Sequence, residues 1–184
     1  AARSTIRASA ASDFAGRLAA AAGEPSIASM DKFPCSGCGW EVEGGVQGCR
    51  AWFHALVARD FSDALFFRSH RLLVDTYSLQ HPDEFCASAK SLVAHLSGLC
   101  AILEAGASMA VGPRHLHRWL DGNRVLTKPP LPDRRGELTI ADLPQGDDPS
   151  AWEAAVLRWA RSTWDAYASV HPTARDWLRQ SENA

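Results

Sequence analysis

From about residue 48 onward the apolar positions recur at the three- and four-residue intervals of a helix, and strict alternation is scarce. In GCRAWFHALVARDF, the residues Trp52, Phe53, Leu56 and Val57 share one side, which predicts a helix over about 48–60. Ser62 offers a hydroxyl cap to a second helix through DALFFRSHRLLVDTYSLQ, which Pro82 stops. A third, DEFCASAKSLVAHLSGLCAILEAG, carries Ala89, Leu92, Val93, Leu96, Leu99 and Leu103 along one stripe and ends at Gly106. GPRHLHRWLDGN has Pro near its start and Gly near its end, the signature of a short helix. The last long helix begins near Pro149, with Trp152, Val156, Trp159, Thr163 and Tyr167 on one face. Pro172 breaks it after His171 and leaves TARDWLRQ for a final turn or two. Before it, RVLTKPPLPDRRGELTIADLPQGDDPS holds five prolines, which predicts a long irregular segment with one brief extended piece at Leu138 to Ile140. Such a segment often covers a site.

These elements predict an all-α fold, a helical bundle of about four main helices with an N-terminal cysteine-knuckle loop and a long Pro/Gly-rich loop before the last helix. At 184 residues, 46% of them hydrophobic, residues 30–184 are expected to form one domain with a real core. The first 29 residues differ: they are rich in Ala and Ser, contain Arg, and precede Met30. They read as a leader or extension with the composition of an organelle transit peptide, in which Ser12 caps one short helix. A net charge of −2 gives no general attraction to nucleic acid, and no stretch approaches the roughly 18 apolar residues of a membrane span. The expected partner is a small molecule or a protein. Five cysteines make a poor disulfide framework and predict reduced thiols in a cytoplasmic-type compartment, with organelle import left open by the leader.

Chemistry concentrates first in FPCSGCGW. Cys35 and Cys38 can meet one tetrahedral metal through a tight turn, and a Gly after the second Cys accepts the positive φ of such a knuckle. Cys49 supplies a third thiolate after a Gly-rich loop, and that spacing favours Zn2+. A redox pair would need a helix following a strand in a βαβ unit, which the surroundings lack, and unligated structural thiols are the bland alternative. No fourth Cys lies nearby. His54 would diverge from Cys49 on a shared helix, so a histidine from the later helices suits better: His70, His81 or His95.

His70, Val74, Tyr77 and His81 fall on one stripe of the second helix below Phe66, which turns His70 inward and makes it the first choice as fourth ligand. A buried imidazole nitrogen without a partner costs about 1–3 kcal/mol, so such a histidine must be paired or liganded. His95 sits beside the apolar stripe of the third helix and His171 closes the last long one. Asp75, Gln80 and Asp165 are available to orient imidazoles. A hydrogen-bonded core histidine is the competing reading for each. His115 and His117, two residues apart, face different ways and read as surface residues, and the seven tryptophans read as core.

The ordered run of CSGCG, GCRAWF, FFRSHRLLVDTYSLQHP, SLVAHLSGLCAILE and GELTIADL before a Trp-rich helix resembles an uncharacterised, mainly actinobacterial family known only as a domain of unknown function. The resemblance covers Phe33 to Leu178. It implies functional weight for Cys35, Cys38, Cys49, His70, Asp75, Tyr77, Gln80, His81, Pro82 and His95, and it implies no activity. Where members of that family carry a His between the second and third Cys, this chain has GWEVEGGVQG, which leaves the fourth ligand unassigned or moves it to a helix.

Three functions follow as expectations. The first is a zinc-binding protein with a closed structural site. The second is a metal-dependent enzyme of hydrolysis or group transfer, with His70, His81, His95 or His171 converging in one pocket beside Tyr77 and Asp75 under the Pro-rich loop. The third is an accessory subunit of a larger assembly.

Overall fold

The chain is described by a computed structural model over residues 31–184, so the reading of residues 1–29 as a leader lies outside the described residues. In chain order the elements are β1 (Lys32–Pro34), β2 (Glu41–Glu43), α1 (Val46–Ser62), α2 (His70–Gln80), α3 (Pro82–Phe85), α4 (Ala89–Leu103), α5 (Arg114–Asp121), α6 (Pro149–Ala166) and α7 (His171–Glu182). Single 3-10 turns lie at Phe67–Ser69, Ile140–Asp142 and Ala168–Val170. The described residues are thus mainly helical with one small sheet, and none of their helices is long and apolar enough to cross a membrane.

The organising element is α2. Every residue from Asp75 to Pro82 is buried, and the helix packs against α1, α4 and α6. Leu72, Leu73 and Leu79 meet the apolar faces of those neighbours, among them Leu92, Leu96, Leu99, Trp152, Val156 and Trp159. Each large side chain so buried contributes about 1.5–3 kcal/mol relative to exposure. Yet the second half of α2 is mostly polar, and a polar side chain can be buried there only if it finds a partner. Asp75 reaches α4, Tyr77 reaches α1, and Gln80 reaches α6 together with the Pro-rich segment. The polar residues of one helix therefore set the placement of the elements around it. Beyond this centre, α7 packs on α4 and α5, where Ala174, Trp177 and Leu178 are buried. At the end of α4, Glu104 gathers α6 and α7 by accepting from Trp164 Nε1 (3.1 Å) and from Arg175 Nε and Nη2 (2.6 and 2.9 Å).

Several boundaries differ from the sequence reading. Ser62 does not cap the second helix: it ends α1, where its hydroxyl donates to Arg59 O, and Asp63 Oδ1 accepts from Leu65 N to form a turn instead. The second helix therefore starts only at His70. The third splits at Cys86, because Ser88 is extended and its hydroxyl accepts from Ser91 N, starting α4 afresh. Pro172 opens α7 rather than ending α6, so the last segment is a helix of 12 residues. Of the piece expected to be extended, Leu138 to Ile140, Thr139 is extended, but Ile140 already opens a 3-10 turn, which Thr139 and Asp142 close with a capping box. The antiparallel pair β1–β2, in register Lys32↔Glu43 through Pro34↔Glu41, is too short for alternation to betray.

Gln80 joins three elements at one side chain. Its Nε2 donates to Arg135 O (3.0 Å) and Leu138 O (2.8 Å), and its Oε1 accepts from Trp159 Nε1 (3.1 Å). Gln80→Ala leaves all three groups without that partner, an expected loss of about 1–3 kcal/mol. Urea denaturation reads the loss, and proteolysis of the native protein is expected to accelerate within residues 123–148.

Candidate metal centre

The knuckle begins where β1 ends. Cys35 N donates to Trp40 O and Gly39 N to Cys35 O, both at 2.8 Å, which folds Cys35 and Cys38 toward the same side. Gly39 has φ +82°, as expected of the residue after the second Cys. Cys49 lies in the first turn of α1, where the helix N-terminus favours a thiolate. The fourth donor comes from His81. Pro82 disfavours helical backbone at the residue before it, and His81 accordingly leaves the helix at φ −122°, ψ 54°. Its ring then turns back along α2, with Nδ1 at 2.8 Å from Tyr77 O. A carbonyl can only accept, so Nδ1 carries the proton and the Nε2 lone pair is aimed at the thiols.

Cys35 Sγ lies 3.3 Å and Cys49 Sγ 3.4 Å from His81 Nε2, and Cys38 Sγ lies 3.8 Å from Cys49 Sγ. All four donor atoms lie within 4.8 Å of one another, and among the described residues this is the only group of three or more His, Cys, Asp or Glu placed to hold a metal ion. A tetrahedral Zn2+ with bonds of about 2.3 Å to sulfur and about 2.0 Å to nitrogen requires S···S edges of about 3.8 Å and S···N edges of about 3.5 Å. The three separations given above are of that size. Cys35, Cys49 and His81 are buried and Cys38 is half-buried.

The charges point the same way. Cys38 is pushed down to about 4, foremost because the Cys49 thiol donates to it, while the same bond pushes Cys49 far up. Crowded sulfurs without a counter-charge share their protons in this unequal way, because a second and third thiolate would face an adjacent negative charge. A divalent cation at their centre removes the conflict and favours deprotonation of all three. Tyr77, placed by the sequence among candidate catalytic groups, is fully buried, and burial foremost pushes its phenol up, keeping it a donor. Its hydroxyl donates to Cys49 Sγ at 3.8 Å. Its ring is stacked between Phe53 and His81, at 3.9 Å from each centroid, and so holds the imidazole plane.

Gly37 completes the packing. A Cβ there would collide with the His81 ring. Gly37→Ala is expected to weaken metal retention about tenfold, since an angström-scale shift of the imidazole loses on the order of 1.4 kcal/mol of ligation. Competition with a chromogenic chelator measures this, although no ligand is altered.

The remaining candidates go elsewhere. His70, the expected fourth ligand, is not in the cluster: its Nδ1–H donates to the buried Asp60 Oδ2 at 3.1 Å, and its ring stacks on Phe67. His95 Nδ1–H donates to Asp75 Oδ1 (2.8 Å), and Arg71 Nε donates to Asp75 Oδ2 (2.8 Å). α4 comes this close only because residue 98 is Gly, where a Cβ would overlap the Asp75 carboxylate. His171 Nε2–H donates to Trp164 O at 2.8 Å. Thus His70, His81, His95 and His171 each have a different partner and do not share one pocket. Cys86 and Cys100 are buried thiols outside the cluster, pushed up by burial to about 12 and about 11. Asp165 orients no imidazole and lines a surface cavity, His117 is exposed, and His115 is half-buried rather than a free surface residue.

The Pro-rich segment does meet the knuckle. Arg135 Nη1 donates to Gly37 O at 3.2 Å, and residues 133–137 with Cys35 to Gly39 line a cleft of about 490 Å³.

Residues 34–168 match a family of unknown function, DUF5946, and the chain belongs to that family. Neither the curated proteins nor the solved structures give a significant match.

Proposed function

We propose that this DUF5946 member is a zinc-binding helical protein in which Cys35, Cys38, Cys49 and His81 hold one Zn2+ in a closed site. The observation that carries the reading is the convergence of three thiols and one imidazole from three segments of the chain, all within 4.8 Å of one another, with three of their separations at tetrahedral edge length. Soft sulfur donors with an imidazole suit zinc over magnesium or calcium. Four protein ligands leave no open position for substrate, so the role is structural. The metal ties the hairpin β1–β2, the start of α1 and the end of α2 together, and so fixes the knuckle wall of the cleft that Arg135 closes. That wall is the surface on which a small molecule or protein partner would dock.

Elemental analysis of the purified chain tests the reading. One zinc per chain is expected, lost in Cys35→Ser and Cys38→Ser. Metal content that is zero in the wild type, or equal in these variants, overturns it.

A further inference from the structure

A second feature lies on the other side of the same segment. Residues 134–138 separate the cleft over the knuckle from a larger cavity, about 660 Å³, against the outer face of α6. Its walls carry Arg134 from the segment and Arg158 and Arg161 from α6, one helical turn apart. Among the described residues none of these guanidiniums is ion-paired, although Glu137 and Asp165 line the same cavity. The segment is fixed rather than loose at this point. Ser162 Oγ accepts from Glu137 N (2.8 Å) and Leu138 N (3.1 Å), while Gln80 holds the carbonyls of Arg135 and Leu138. With its lone pairs so engaged, the Ser162 hydroxyl keeps its proton as a donor at the cavity wall.

We propose that this cavity binds a small organic anion, with a phosphate or carboxylate head held by Arg134, Arg158 and Arg161. Guanidinium forks match both heads, and three of them from two elements fix an orientation that a single surface arginine does not. Ser162 adds a neutral donor. Glu137 and Asp165 repel a bare dianion and accept from hydroxyl or amino groups on the ligand body, which selects a polyfunctional metabolite over an inorganic ion. The volume suits a molecule of that size. This site does not rest on the zinc reading: Arg158 and Arg161 lie on α6 outside the knuckle cleft, and only Arg134 lines both hollows.

Calorimetric titration of the full-length, metal-loaded protein at constant ionic strength tests the proposal, with glycerol 3-phosphate, glycerate and glycerol as probes. Saturable binding of glycerol 3-phosphate or glycerate, with none for glycerol, is expected; which of the two binds tells the phosphate source from the carboxylate. Arg158→Gln/Arg161→Gln is expected to weaken that binding about tenfold with an unchanged melting temperature, because both side chains are exposed. Failure of both anions to bind, equal binding of glycerol, or binding undiminished in the double variant overturns the proposal. Zinc content measured on the same samples keeps the outcome separate from the metal site.

Discussion

His81→Ala is expected to lower the melting temperature by roughly 10–20 °C and to release the metal to a mild chelator. The variant removes the proposed fourth ligand, the ring on which Tyr77 stacks and the group that fills the space above Gly37. Structural zinc contributes about 10–16 kcal/mol in small zinc-finger peptides. Losing one of four ligands together with its packing is taken at about 5 kcal/mol, and each kcal/mol shifts a domain of this size by about 2–4 °C. His70→Ala is the control, with zinc content expected unchanged. It costs only about 1–3 kcal/mol, because burial already pushes the Asp60 carboxyl up and the group left behind can take a proton. Thermal melts of the two variants with and without chelator check both statements. A larger loss in His70→Ala than in His81→Ala would contradict them.

The next largest effect is expected at Asp75. Its carboxylate is wholly buried and is the shared partner of Arg71 and His95. Asp75→Ala leaves a guanidinium and an imidazole without that charge between α2 and α4. Breaking a buried pair on one side costs about 3–5 kcal/mol. Arg71 and His95 keep 19% and 16% of their side-chain surface in water, which places the loss near the lower figure. About 3 kcal/mol corresponds to a fall of roughly 6–12 °C. Urea denaturation measures it, with zinc content unchanged because no metal donor contacts Asp75. A variant as stable as the wild type would show that Arg71 and His95 are satisfied by solvent.

The knuckle was legible from sequence because Cys35, Cys38 and Gly39 act locally: a two-residue gap and one positive-φ glycine suffice to bring the sulfurs together. Cys49 was legible from its spacing after the Gly-rich loop. The helical character of the chain followed from long, periodic apolar faces, the most robust local signal. The choice among His70, His81 and His95 was not legible, because all three lie beside apolar residues and their fates depend on carboxylates brought close by tertiary packing. Asp60 takes His70 and Asp75 takes His95, leaving His81. One signal did point to His81: Pro82 forces it out of the helix, and only a residue released from the stripe can turn its ring back toward the knuckle. The boundaries at Asp63, Ser88 and Pro172 lie where a single side-chain cap or a proline outweighs several residues of periodicity. The arginine cavity could not be seen at all, since it joins residues 134–137 to α6 through hydrogen bonds made by Gln80 and Ser162.

X-ray absorption at the zinc K-edge of the purified protein reads the proposed donor set of Cys35, Cys38, Cys49 and His81 itself. Three sulfur neighbours at about 2.3 Å and one nitrogen at about 2.0 Å are predicted, with the nitrogen contribution lost in His81→Ala and kept in His70→Ala. A shell of oxygen and nitrogen alone, or a nitrogen that survives His81→Ala, would contradict the account.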